Sequence, residues 1–264
     1  MWFQGLKNLT KISNIQNLKT DKVASMESMF DGCTSLEEVD VSGFNTQEVI
    51  NMCAMFQNCS KIKSLAVNNW NTSKVINMSY MFFLCSALTD VDLSNFNTSN
   101  VTTLKCMFYE CRKVKELNVA NWDTSNVTDM SWMFQYCTTI TKLPVENWNT
   151  SNVKDFSHMF WQCEKVTALN LSNWDTSSAT NMNSMFARCY VLESIDVSSF
   201  DTSKVEDMVW MFRMCYKLKS LDISNFDTSK CVYFYYMFEG CSELENLESV
   251  SYTHLRAHET LRHL

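Results

Sequence analysis

A Met-Phe dipeptide recurs nine times at an unvarying step of 26 residues, from Met29-Phe30 through Met133-Phe134 to Met237-Phe238. A cysteine follows three residues after each phenylalanine, from Cys33 and Cys59 to Cys215 and Cys241. Self-similarity at a fixed period of roughly 20–50 residues belongs to solenoids and related repeat arrays. In such folds each unit is one rung that buries its apolar faces only against its neighbours, so an insertion inside a rung disturbs both contacts. Nine units without one insertion therefore define a single stacked body. Composition allows it, because 46% of the 264 residues are hydrophobic and 19% charged, enough apolar side chain for a continuous core. Only four glycines and one proline, Pro144, are available for turning. The turns must then be built by the abundant Asn, Asp, Ser and Thr.

Each unit changes period along its length. Asn45-Thr46-Gln47 reads as a turn, and its equivalents are Asn71-Thr72-Ser73 and Asp123-Thr124-Ser125. Short polar side chains of this kind bond nearby backbone groups and cap helix starts. Val49, Met52, Met55, Phe56 and Cys59 follow at helical spacing, which predicts one short helix or helical turn per unit. Ile62, Leu65 and Val67 then show the alternation of a short strand. The expected architecture is an α/β repeat solenoid of leucine-rich-repeat type, with a parallel β-sheet on one face and short helices on the other. The pattern Leu36-x-x-Val39-x-Val41 echoes the core of leucine-rich repeats.

With these residues in view, the unit resembles the 26-residue repeat of BspA-type leucine-rich repeat surface proteins. Asn121-Trp122-Asp123-Thr124-Ser125-Asn126-Val127-Thr128-Asp129-Met130-Ser131-Trp132-Met133-Phe134 is a close example. Departures are conservative: Leu104, Phe156 and Phe234 replace the first Met, and Ala179 and Cys231 replace the Val. The resemblance implies a cell-surface or extracellular solenoid whose partners are extracellular or host-surface proteins or glycans, with adhesion as its role. The ligand itself does not follow from the fold.

Three segments are expected. Residues 1–17 form a degenerate rung, because Trp2-Phe3-Gln4-Gly5-Leu6 aligns with Met29-Phe30-Asp31-Gly32-Cys33 at an offset of 27. It reads either as an N-terminal cap or as the edge of a longer chain, the second being favoured. Residues 18–247 hold the nine repeats. Residues 248–264 depart abruptly in composition and resemble a read-through of a sequencing adapter, so they are set aside from fold reasoning. His254 and His258 have the spacing of a helical metal pair but lack a third ligand, and no metal or cofactor is expected.

The function classes narrow quickly. A net charge of -7 with no basic stripe argues against nucleic acid. No apolar run reaches the roughly 20 residues of a membrane helix, so no membrane insertion is expected. Nine of the twelve cysteines share one rung position and should stack as buried free thiols, since parallel side chains in a stack have poor disulfide geometry. Near-identical residues distributed along an axis do not converge on a catalytic pocket, so no enzyme is expected. His158 reads as a surface side chain. Asp40, Asp92, Asp196 and Asp222 read as a solvated row on the outward side of the strands.

The candidate binding residues lie beside the Met-Phe pairs. Placing residues at about 100° each turns the positions just before and just after each pair towards solvent. These positions, with one neighbour, hold Tyr80, Phe83, Tyr109, Trp132, Tyr136, Trp161, Trp210 and Tyr236. Outward aromatic residues in a contiguous stripe mark interaction surfaces. With Arg213 near Trp210, the stripe is the expected protein or glycan site, against the alternative that these rings only cover their own rungs. A structural spacer within a larger surface protein is the other expected role. The ladder of Thr20 to Thr228, one per rung, raises a third, ice-binding surface, which turn capping explains more simply.

Overall fold

The computed structural model describes residues 2–249, and the motif of His254 and His258 lies outside them. Rungs of 26 residues stack in parallel along one axis. Four parallel strand pairs lie on one side: β1 (Lys11–Ile12) with β2 (Glu38–Val39), and β3 (Ser64–Leu65) with β4 (Asp90–Val91). Next along the axis come β5 (Ala168–Asn170) with β6 (Ser194–Asp196), and β7 (Ser220–Ile223) with β8 (Asn246–Ser249). The parallel sheet is thus present but broken into pairs. Leu117 and Leu143 are buried at the strand position of the two rungs between, where no strand is formed. Pro144 occupies one of these rungs and has no N–H to donate to a ladder.

The expected helices are absent among the described residues, whose one helical element is a single 3-10 turn at Ile15–Asn17. A second ladder replaces them. The N–H groups of Met130, Trp132, Phe134 and Tyr136 donate to the carbonyls of Asp155, Ser157, Met159 and Trp161 in the next rung at 2.8–3.0 Å. The intervening amides close tight turns, as in Met133 N–H to the Met130 carbonyl and Cys137 N–H to that of Phe134. Isolated parallel bridges run along the same line from Ser25 and Asn51 to Asp207 and Tyr233. A helix would keep these N–H groups within its own turn; here they hold neighbouring rungs together.

Such a path needs the backbone to reverse hand twice per rung. Sixteen of the seventeen non-glycine residues with positive φ fall at two repeat positions, those of Tyr80 (φ 60) and Leu84 (φ 60). Gly32 and Gly240 complete the second set. Left-handed backbone costs an ordinary residue roughly 1–2 kcal/mol, so the inter-rung ladder must over-determine it. The helical reading failed because this double turn also returns every third or fourth side chain inward. Met130, Met133, Phe134 and Cys137 are all fully buried, as the spacing required.

The core is a set of columns. Ten phenylalanines, from Phe3 to Phe238, stack with ring centroids 5.3–5.9 Å apart. All twelve cysteines are free, and each ladder thiol donates to the carbonyl of the phenylalanine one rung back, as Cys137 Sγ does to Phe108 at 3.2 Å. That carbonyl already accepts the N–H of Cys111, so a small thiol fills its second lone pair. Burial pushes the thiols of Cys85, Cys137 and Cys189 up to about 12. Threonines close each rung in the same way: Thr124 Oγ1 donates to the Asn149 carbonyl at 2.8 Å. Tryptophan indoles join them, Trp148 Nε1 reaching the Val119 carbonyl at 2.9 Å.

The first step is 27 residues at β1 and β2, yet Thr20 already bonds Asn45 with the register of later rungs. The extra residue is absorbed between Ile12 and Thr20, where Asn14 is left-handed (φ 60) and Ile15–Asn17 makes its 3-10 turn. This bulge presses on Gly43, at which a Cβ would lie 1.9 Å from the Gln16 carbonyl oxygen.

Candidate functional site

Outside the completed core, the two left-handed positions and the residue before the second carry the aromatic stripe. Their backbone is held by the inter-rung ladder, so the rings stand at fixed rung intervals. Tyr80 meets Phe83 edge-on at 5.5 Å, and Phe83 stacks on Tyr109 at 4.6 Å. Tyr109 contacts Trp132 at 6.0 Å and Tyr136 at 5.8 Å. Tyr136 stacks on Trp161 at 6.1 Å. Six of the eight expected residues therefore form one continuous cluster. Trp210 stands apart, across the rung of Ser184 and Ala187, and Tyr236 pairs with Tyr235 on the last aromatic rung.

The stripe is half-buried, not fully exposed as helical geometry implied; Tyr236 alone among the eight is exposed. Ring-on-ring contacts cover much of the stripe, and the indole Nε1 atoms of Trp161 and Trp210 are buried as well. A corrected reading applies to His158, expected as a plain surface side chain. It is half-buried, stacked on Trp132 at 4.3 Å and 4.8 Å from Trp161. Arginines were also under-read. Arg112 lies 5.0 Å over Tyr136, Arg188 5.9 Å from the Trp161 ring, and Arg213 5.2 Å over Trp210. Their signal was available in the sequence: each sits within three positions of a stripe residue in its own rung or an adjacent one.

Desolvation lowers the His158 pKa to about 4, against a smaller opposing pull from Asp207. A histidine with a folded pKa below its unfolded value of about 6.5 binds its proton more readily when unfolded. Its neutral form therefore supports the fold fully above about pH 6.5, and that support is lost as pH falls towards 4. The urea midpoint should drop over this window, and His158→Gln should flatten that part of the profile. A variant profile parallel to the parent's would contradict the assignment.

The other candidate surfaces are used locally. Asp40, Asp92, Asp196 and Asp222 each accept hydrogen bonds from the serine two residues on, which hold their carboxyls below the usual range. The threonine ladder is a correction to the ice-binding alternative: Thr20 through Thr202 are at most 2% exposed and bond backbone carbonyls inside the stack. Among the described residues no group of three His, Cys, Asp or Glu could hold a metal ion, and no helix is long and apolar enough to cross a membrane.

Stacked rungs with parallel strands on one side and a turn ladder on the other define a leucine-rich-repeat-like solenoid. The chain belongs to the family described as "Mycoplasma protein of unknown function, DUF285", whose model matches residues 1–116, 83–189 and 165–260, and its repeats are of the BspA type. A leucine rich cell surface protein from Faecalibacterium prausnitzii A2-165 aligns at 16% identity and a TM-score of 0.39, over 88% of this chain and 78% of its own. A leucine-rich repeat protein from Bacteroides ovatus ATCC 8483 aligns at 20% identity and a TM-score of 0.42, over 77% of this chain and 59% of its own. No curated protein matches the chain. At such TM-scores the architecture rests on the chain's own rungs.

Proposed function

We propose that the chain is a surface-exposed binding scaffold whose aromatic face engages an extracellular or host-surface protein or glycan, as an adhesion module does. The observation that carries this reading is the connected cluster from Tyr80 to Trp161, standing outside a core that the phenylalanine column already completes. Aromatic residues held rigidly at a surface lose little entropy on binding and dominate interface energetics. No catalytic step is assigned, because the ladder thiols are buried and held protonated and the aspartate row is engaged in serine turns.

The test is binding of the chain to a panel of extracellular-matrix proteins and glycans, repeated with Trp132, Trp161 and Trp210 changed together to alanine. Truncating a binding hot spot costs about 2 kcal/mol or more, so the triple variant should lose at least about a hundredfold in affinity. Undiminished binding would place the site elsewhere, on the strand face. No binding across the panel would leave the spacer role.

A further inference from the structure

The first and last described rungs are chemical opposites. Residues 2–25 carry Lys7, Lys11, Lys19 and Lys22 against Asp21, a net charge of +3 in a chain whose total is -7. Residues 224–249 carry Asp227, Glu239, Glu243, Glu245 and Glu248 against Lys230, a net charge of -4. Each rung also leaves apolar surface uncovered. Leu247 in β8 is 42% exposed, whereas Leu221, its equivalent one rung earlier, is 3% exposed. Trp2 and Leu6 are exposed at positions where Met29 and Cys33 are buried. Repeat arrays stay apart when their terminal rungs are polar on the outer side, and neither of these is.

The backbone groups left over match in register. Along the turn ladder Phe212 and Met214 donate their N–H groups to the carbonyls of Met237 and Glu239. Phe238 and Gly240, their equivalents in the last rung, donate to no acceptor among the described residues. In the first rung the carbonyls of Trp2 and Gln4, the equivalents of Met237 and Glu239, accept no hydrogen bond among the described residues. Strands β1 and β8 each have one open edge, and the register of their existing partners would set Asn246 against Lys11 and Leu247 against Ile12. Open strand edges are templates for another strand. A cavity adds shape to this match. Trp2 aligns with Met29, so residues 20–28 have no stacked neighbour on that side among the described residues. A cavity of about 250 Å³ opens there, lined by Trp2, Val23, Met26 and Met29 together with Ser25 and Glu27. A cavity of roughly 150 Å³ already admits a benzene ring. The last rung carries bulk to fill it, since Tyr233 and Tyr235 are exposed at the positions equivalent to Ser25 and Glu27. None of the eight rungs before it has an aromatic residue at either position.

We propose that the chain stacks head to tail on a second copy of itself, the last rung of one copy lying on the first rung of the next, with Tyr233 and Tyr235 seated in the cavity lined by Trp2 and Met26. Phe238 and Gly240 then donate to the carbonyls of Trp2 and Gln4, β8 pairs with β1, and the acidic rung faces the basic one. Such a contact is heterologous, so each pair keeps a free head and a free tail for further copies. Copies in line repeat the aromatic face along one axis, which multiplies weak contacts to a partner. The stacking itself does not depend on that face binding anything.

Sedimentation of the full chain from about 1 µM to about 1 mM spans the range of weak to moderate association. The average mass should rise with concentration past that of a dimer, and rise less at high salt, which screens the opposed charges. Trp2→Glu with Leu6→Glu spoils the head. Tyr233→Asn with Tyr235→Asn spoils the tail and restores the pair that the rung of Asn181 and Asn183 carries. Each double variant alone should need at least about tenfold more protein to associate, the effect of removing aromatic anchors. Their mixture should form a one-to-one dimer and go no further, because one intact head and one intact tail remain between them. Rescue in the mixture also shows that both variants keep their fold. A parent chain that stays monomeric throughout, variants that associate as the parent does, or a mixture that forms no dimer overturns the proposal. Self-association lost only when Trp132, Trp161 and Trp210 are changed together to alanine overturns it too, by placing the contact on the aromatic face.

Discussion

Replacing Phe134 with alanine should lower the stability of the solenoid by about 3–5 kcal/mol, the usual cost of emptying a buried aromatic site. Phe134 is fully buried, stacked 5.8 Å from both Phe108 and Phe160 and 6.3 Å from Trp148. In a solenoid the rungs on either side are the only structure that can collapse into the cavity, and their backbones are fixed by the turn ladder through Phe134 and Met159. Relaxation is therefore limited. The same change at Phe238, on the last phenylalanine of the column and only partly buried, should cost distinctly less. Urea unfolding followed by circular dichroism measures both. Equal costs at the two sites would show that the column does not act rung by rung.

The second expected result runs against the repeat's own consensus. Gly43 aligns with Asn69, Asn95, Asn121, Asn147, Asn173 and Asn225. Several of these donate to a carbonyl of the preceding rung, as Asn95 Nδ2 does to Asn68 at 2.9 Å. Restoring the common residue with Gly43→Asn would ordinarily be read as stabilising. Here a Cβ would meet the Gln16 carbonyl oxygen at 1.9 Å and its carbon at 2.7 Å, both backbone atoms. The bulge around Ile15–Asn17 would have to shift, at the roughly 1–3 kcal/mol typical of overpacking. A neutral or stabilising Gly43→Asn in thermal unfolding would mean that the first rung is not docked as described.

Much of this was legible from spacing. The invariant step gave the stacking, and the inward Met, Phe and Cys positions are buried as expected. Strand positions such as Leu65 and Leu169 were readable from alternation. The turn ladder was not, because a path that reverses hand at Trp132 and Tyr136 returns side chains inward at nearly the helical interval. Scarcity of glycine concealed it further, since sixteen ordinary residues accept the left-handed backbone there. Of the site, the rings were found by elimination from the core, but their connectivity was hidden. Whether Trp210 joins Trp161 depends on the single rung of Ser184 and Ala187. His158 was misjudged for a related reason: its neighbours in space, Trp132 and Trp161, are visible only once rungs are stacked.

The most direct test of the binding face is hydrogen–deuterium exchange of the full chain with and without a captured panel partner. Protection on binding should concentrate in the turn segments around residues 80–84, 106–110, 132–136, 158–162 and 184–188. Protection confined to the strand segments, around residues 168–170, 194–196 and 220–223, would contradict the account and move the ligand to the opposite face.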